Sequence, residues 1–227
     1  VSFYQPAAAS LSPGMTGNYR YDAENRLLAA EGTSFTYDAN GNLLTKSRQG
    51  SVTSLAWNYN NMLSQVTRHA ALARYTYDAL GNRIARTENS VETRYVVDPS
   101  EALSRVLAET DAAGNVISYY VYGLGLVSRI TDAGEAYFYH YDGLGSTIAM
   151  ADAGGTIVNR YAYDAFGTVS SAEEKTANLF KYVGRFGVID ANDGFLLMGT
   201  RYYDPDLGRF LTKDPLGLRG GLNAYLY

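Results

Sequence analysis

Rings recur in pairs along this chain, with one residue between the two members of each pair. The pairs are Tyr19 and Tyr21, Phe35 and Tyr37, Trp57 and Tyr59, Tyr75 and Tyr77, Tyr120 and Tyr122, Tyr139 and Tyr141, and Tyr161 and Tyr163. Tyr95 and Val97 form a degenerate copy in the gap between the fourth and fifth pairs. The interval is mostly near 20 residues. A spacing of two puts both rings on one face of a strand, whereas a helix would set them about 200° apart. Within the repeats, no 3.6-residue period extends over the 11 or more positions that a helix needs. A repeat sought before any other feature thus decides the fold: strands.

Turn signals follow the rings. Tyr37-Asp38-Ala39-Asn40-Gly41-Asn42 carries Asp at one position and Gly three further on, and the same spacing recurs in 78–81, 111–114, 142–145 and 164–167. Asp at i and Gly at i+3 mark a type I turn; the carboxylate accepts nearby backbone N–H groups and Gly takes the left-handed conformation that closes a bulged hairpin. Asn25 holds the Gly place in the first copy, and Asn tolerates that conformation next best. Short return strands follow, such as Asn42-Leu43-Leu44 and Asn82-Arg83-Ile84. Each of about eight repeats therefore reads as strand, tight turn, strand and a looser connection. Ser171 to Asn178 breaks the pattern and reads as an inserted loop.

Composition agrees with many strands and sharp reversals: the 227 residues include 21 Tyr and 23 Gly against 5 Pro. Tyr suits pleated, half-buried surfaces and Gly suits positive φ. A 46% hydrophobic share supports a packed core. A net charge of −4 gives no basic surface for a phosphate backbone, so nucleic-acid binding is not expected. The absence of cysteine rules out a disulfide framework and thiolate chemistry. No apolar run approaches the roughly 20 residues that span a bilayer. The start at Val1, without a signal peptide, suggests a segment of something longer.

The Tyr-Asp-x-x-Gly-Asn frame resembles the YD repeat of the Rhs and teneurin families. Arg201-Tyr202-Tyr203-Asp204-Pro205, Gly208-Arg209-Phe210, Asp214-Pro215-Leu216-Gly217-Leu218, Gly220-Gly221 and Asn223-Ala224-Tyr225-Leu226-Tyr227 resemble the Rhs core-associated motif. The resemblance spans nearly the whole chain from about Asn18. It implies a β-strip that spirals into a hollow shell. In Rhs proteins and in the C components of Tc toxins such a shell encloses a C-terminal toxin, and teneurins use a related barrel for adhesion. It further implies that the core-associated segment plugs the shell and that an aspartyl-type self-cleavage nearby releases the C-terminal domain. The family motif runs on to a second Asp-Pro-x-Gly-Leu element where the cut is made; this chain stops at Tyr227, so the cut site and any toxin would lie beyond it.

Eight hairpins give roughly 16 strands about 4.8 Å apart, a strip on the order of 77 Å wide. Closed into one turn it would form a ring about 25 Å across, with a lumen of roughly 15 Å once side chains fill an inter-sheet layer. A domain of about 100 residues, with a radius of gyration near 13 Å, does not fit. Alone, this segment makes one or two turns of a spiral, or a small barrel filled by its own tyrosines.

Asp204 and Asp214 are the only paired carboxylates with motif support, and Arg201 lies close in sequence. Two carboxylates sharing a proton, tuned by a cation, can activate a water or an amide. By the resemblance Asp214 is the better candidate, with Arg201 its partner and Asp204 behind; the plainer alternative makes both Asp-Pro steps turns that shape the plug. The tyrosine rows read as cross-strand packing that sets register, or as a surface for glycans or hydrophobic peptides. His69 and His140, without cysteine, give too few ligands for a metal site, and His140 points away from the aromatic row. Asp38 to Asn42 and Asp190 to Gly194 look like calcium loops but lack the closing Glu, and read as turns. No motif requires a cofactor.

The expected architecture is all-β: antiparallel hairpin repeats forming a curved spiral strip or small barrel, with a C-terminal plug. Residues 1–17 would be a leader or partial repeat, 18–170 the YD-repeat spiral and 171–227 the core-associated segment. As it stands the chain reads as a scaffold and not an enzyme, from a secreted or surface-delivered bacterial protein. In a longer parent it would enclose a C-terminal toxin or other polypeptide. The rival is an extracellular module that recognises glycans or cell-surface proteins through tyrosine-rich surface. An exposed edge at the N-terminal end of the strip also invites self-association through sheet edges.

Overall fold

In the computed structural model, residues 18–100, 104–190 and 193–227 are described; the proposed leader, 1–17, lies outside them, as do Ala191 and Asn192 of the acidic loop. Sixteen strands, from β1 (Arg20–Tyr21) to β16 (Val169–Glu174), form one antiparallel sheet in which each strand pairs with its neighbours in sequence. The architecture is the expected all-β strip of hairpins with a C-terminal segment packed into it. That segment builds a second, four-stranded antiparallel sheet: β17 (Ile189–Asp190), β18 (Leu196–Met198), β19 (Arg201–Asp204) and β20 (Arg209–Phe210).

The Asp turns form as their chemistry dictates. Asp38 Oδ1 accepts the Asn42 N–H at 2.8 Å, and its Oδ2 accepts from Asn42 Nδ2 at 2.8 Å. Asp78 and Asn82 repeat both bonds, at 2.9 and 2.8 Å. Gly41, at φ +88°, donates its N–H to Asp38 O. Just beyond each turn the register slips by one residue: Thr36 faces Thr45 but Tyr37 faces Leu43, so Leu44 bulges. The same slip follows Trp57, Tyr77, Tyr141 and Tyr163. A bulge bends its strand and sharpens the twist, so its repetition curves the strip.

The concave face holds the core. The first residue of most pairs is buried there, including Phe35, Tyr75, Tyr95, Tyr120, Tyr139 and Tyr161, while Tyr19 is half-buried. The second residue reaches back to the preceding hairpin. Tyr37 Oη donates to Leu27 O (3.1 Å), Trp57 Nε1 to Leu43 O (2.7 Å), Tyr77 Oη to Leu63 O (2.6 Å), Tyr122 Oη to Val106 O (2.9 Å), Tyr141 Oη to Leu126 O (2.7 Å) and Tyr163 Oη to Thr147 O (2.6 Å). Six hairpins are thus tied to their predecessors by one amphipathic ring each, apolar in body and polar at the tip, while Val97 supplies no such bond in its repeat.

Four details depart from the sequence expectation. Tyr59 is fully exposed in a turn, and the pair in that repeat is Leu55 and Trp57, with Asn58 in the Asp place and Asn61 in the Gly place at φ +58°. Alignment by aromatic residues alone shifts the frame by two, because Leu fills the first ring's position. The 111–114 turn closes the opposite edge of the strip, joining the strands Arg105–Asp111 and Val116–Tyr122. The connections on that edge are not loose: Glu31-Gly32, Gln49-Gly50, His69-Ala70 and Asn89-Ser90 are two-residue turns with positive φ at both positions. This is the type I′ geometry that matches strand twist. Finally, 171–174 belong to β16 rather than to a loop. His140 is exposed, as expected from its place between two inward rings.

Candidate functional site

The C-terminal segment sits on the edge of the strip that carries the turns at Asp22, Asp38, Asp78, Asp142 and Asp164. Main-chain bonds dock it: Leu43 N to Leu211 O (2.9 Å), Thr147 N to Lys181 O (2.9 Å) and Arg185 N to Gly145 O (3.0 Å). Tyr225 Oη donates to Gly41 O at 2.8 Å. The glycines of two turns serve this approach as well as their own φ. A Cβ on Gly41 would meet Tyr225 Oη at 2.6 Å, and one on Gly167 would meet the Tyr182 ring at 2.5 Å. The hairpin β19–β20 bridges the two ends of the strip: Arg209 Nη2 donates to Asn25 O in the first turn (2.7 Å), and Tyr203 Oη donates to Phe166 O in the last (2.9 Å). Among the described residues β1 and β16 share no ladder; the plug, and not the sheet, joins the ends.

The motif tyrosines are the body of the plug. Tyr202, Tyr203 and Tyr225 are at most 1% exposed, as is Phe180, and burying each stabilises the docked state by about 1.5–3 kcal/mol. Phe180 meets Tyr120 edge to face with centroids 4.9 Å apart, and Tyr202 packs on Tyr75. Tyr202 and Tyr77 hydroxyls lie 3.1 Å apart. Burial and neighbouring groups push the Tyr77 phenol far above its ordinary value. These rings are packing elements, and the inward row is closed to solvent.

The candidate carboxylates separate. Arg201 Nη2 stands 3.3 Å from Asp214 Oδ2, and the guanidinium carbon lies 3.6 Å from the Phe210 ring centroid. Burial lowers the Arg201 pKa, opposed by the charge of Asp214. Asp214 also shapes its own turn: Oδ1 accepts the Leu216 N–H (2.8 Å), and a Cβ on Gly220 would meet Oδ2 at 2.8 Å. Asp204 faces elsewhere. Wholly buried, it pairs with Lys46 of the strip at 2.8 Å and accepts the Asp206 N–H on Oδ1 (3.0 Å). Burial raises its pKa, and Lys46 holds it back. The structure therefore brings Arg201 and Asp214 together and gives Asp204 a different cation, Lys46.

Two further polar groups carry the plug: Lys46 had no sequence signal beyond its residue type, and Asp193 lies in the acidic stretch read from the sequence as a turn. Lys46 lies 158 residues from its partner. Asp193, buried, accepts from Tyr75 Oη, and its other oxygen accepts the Phe195 N–H at 3.0 Å. Burial raises the Asp193 carboxyl pKa, with Arg83 and Arg86 pulling it down. The carboxylate of Asp38, in the other acidic stretch, is occupied by its turn.

One strip of YD hairpins whose turn edge is stoppered by its own C-terminal segment defines a plugged YD-repeat shell. The chain belongs to the teneurin YD-shell family, whose model matches residues 10–218. It is 37% identical over 207 residues to the tRNA nuclease WapA of Bacillus subtilis (strain 168), a match covering 88% of this chain and 8% of that protein. It is 28% identical over 244 residues to Double-stranded DNA deaminase toxin A of Burkholderia cenocepacia (strain H111), covering 91% of this chain and 17% of that one. The Photorhabdus luminescens Tc holotoxin pore superposes with a TM-score of 0.59 at 17% identity, over 92% of this chain and 14% of the other, which shows a shared fold. The chain thus spans under a fifth of the length of these relatives. No described helix is long and apolar enough to cross a membrane.

Proposed function

We propose that this chain is the closing section of a YD-repeat shell that encloses a polypeptide cargo in a longer, secreted or surface-delivered parent. The observation that carries this reading is the seating of the C-terminal segment, which occupies the turn edge of the strip and bridges its first and last turns. The relatives support it: a tRNA nuclease and a DNA deaminase toxin share this one section while naming different activities. A common wall with exchangeable cargo accounts for that. The strip's own work is mechanical, and the catalysis named in the relatives belongs to other parts of their chains. In the parent, Asp214 with Arg201 is our candidate for aspartyl-type self-cleavage, whereas Asp204 holds the plug to the strip through Lys46.

Limited proteolysis of the parent tests the reading. The polypeptide beyond Tyr227 should resist protease in the native parent and become sensitive when Tyr202→Ala loosens the plug. Equal digestion in both would refute enclosure. Separately, Asp214→Asn should abolish release of the C-terminal domain on a denaturing gel, and release that survives would remove Asp214 from the mechanism.

A further inference from the structure

The concave face holds a basic corner in a chain whose net charge is −4. Lys46 faces Thr53, and Arg48 faces Ser51, across the strands Leu43–Arg48 and Ser51–Trp57. Lys46 reaches Asp204 of the plug, so these four side chains stand on the concave face. In the next strand, Leu63–Arg68, Val66 faces Leu55 in the core, and Arg68, two residues on, shares that face. The hydroxyls of Ser51 and Thr53 therefore lie on the middle strand, with an arginine on the strand to either side. These residues, with His69 and the plug's Gly194, Phe195 and Asp206, line one cavity of about 400 Å³, within the size range of small-molecule pockets.

The donors of this corner are open to solvent. Arg48, Arg68 and His69 are exposed, and Arg48 makes no hydrogen bond or ion pair among the described residues. Arg68 Nη1 donates to Asp193 O at 3.4 Å and lies against Gly194, where a Cβ would collide with that nitrogen. The plug thus positions Arg68 through an absent side chain. Ser51 Oγ and His69 Nε2 are 3.1 Å apart. The Lys46 ammonium is already engaged, 2.8 Å from Asp204 and 3.2 Å from Asp206. Asp206 is the one carboxylate among the described lining residues, so the positive charge left facing the cavity is that of Arg48 and Arg68.

We propose that this cavity binds a phosphoryl group, either as free phosphate or on a small phosphate monoester. A guanidinium fork presents paired donors to the oxygens of an oxyanion. Here two arginines flank two hydroxyls, with an imidazole beside them, so donors approach from several sides. A tetrahedral oxyanion has oxygens to meet them all, whereas a planar carboxylate has two. Asp206 opposes the ligand and limits its affinity.

Proton NMR of the full 227-residue chain tests it, because His69 and His140 are its only histidines. His140 is exposed and absent from the lining of this cavity, and so serves as the control ring. At constant pH and ionic strength, inorganic phosphate should shift the His69 ring signals saturably and leave those of His140 in place. Phosphate should bind about tenfold more tightly than acetate. Glycerol 3-phosphate separates the two sources: affinity above that of phosphate assigns the cavity to a monoester, and affinity at or below it to free phosphate. Arg48→Gln, at an exposed position, should leave Tm unchanged and weaken phosphate about tenfold. Asp206→Asn removes the opposing charge and should tighten phosphate about threefold. Shifts that are absent, equal at both histidines, or unchanged by Arg48→Gln would overturn the proposal, as would weaker binding to the Asp206→Asn chain.

Discussion

Lys46→Met keeps the length of the side chain and deletes the ammonium that faces Asp204 at 2.8 Å. Asp204 is 0% exposed and Lys46 is 21% exposed, so the variant strands a buried charge whose former partner was partly wet. Removing one member of a buried pair costs about 3–5 kcal/mol. Protonation sets a ceiling. From an ordinary carboxyl value of 3.8, neutralising Asp204 at pH 7 spans 3.2 pH units at 1.36 kcal/mol each, or about 4.4 kcal/mol. The expected loss at pH 7 is therefore about 3–4 kcal/mol, with Asp206, 3.2 Å from the same ammonium, adding repulsion that Lys46 no longer offsets. The pH dependence has a definite sign. The Asp204 pKa in the folded protein lies above 3.8 and rises further without Lys46, so the folded state gains from a proton there. Its stabilising contribution is complete below about pH 3.8 and is lost as pH rises through the folded value. Urea melts should show the Lys46→Met deficit shrinking to under about 1 kcal/mol at pH 4. The double variant Lys46→Met/Asp204→Asn should recover most of the loss at pH 7, because no charge is left unpaired. A deficit under about 1 kcal/mol at pH 7, or one unchanged between pH 7 and pH 4, would refute the ion-pair account.

Gly167→Ala combines a strained φ of +96° with a Cβ 2.5 Å from the Tyr182 ring, and should cost about 3 kcal/mol in a denaturant melt. Gly32→Ala, at φ +76° with open space around it, should cost only about 1 kcal/mol. Asp78→Ala deletes an acceptor of three N–H bonds and should destabilise by about 1 kcal/mol at pH 7. Because bonding to Asn82 depresses the Asp78 pKa, its contribution is present above pH 3.8 and lost as pH falls through the depressed value, opposite to Asp204. Tyr141→Phe leaves Leu126 O without its hydroxyl and should lower stability by about 1 kcal/mol while leaving far-UV circular dichroism unchanged. The exposed edge strand β16 should give concentration-dependent dimers in light scattering, and Ala172→Pro, at a position whose N–H points away from the neighbouring strand, should remove them.

What the sequence determined by itself was local. Rings spaced by two imposed strands, Asp and Gly spaced by three imposed the turns on one edge, and a repeat near 20 residues set the antiparallel order and the number of strands. Each of these depends on chemistry within a few bonds or on one hydrogen-bonded neighbour. The frame slipped where that chemistry was disguised: Leu55 supplies only bulk and so does a ring's work unrecognised, and His69-Ala70 bears none of the usual marks of a type I′ turn because strand twist, not residue preference, forces its φ positive. The plug was visible as a motif, but its site was decided by tertiary structure. Asp204 and Asp214 look alike in sequence, each an Asp before Pro whose Oδ1 accepts the N–H two residues on. Curvature of the strip brings Lys46 to the first while Arg201 serves the second. Sequence separations of more than a hundred residues become contacts only once the repeated bulges have bent the sheet around its own C-terminal segment.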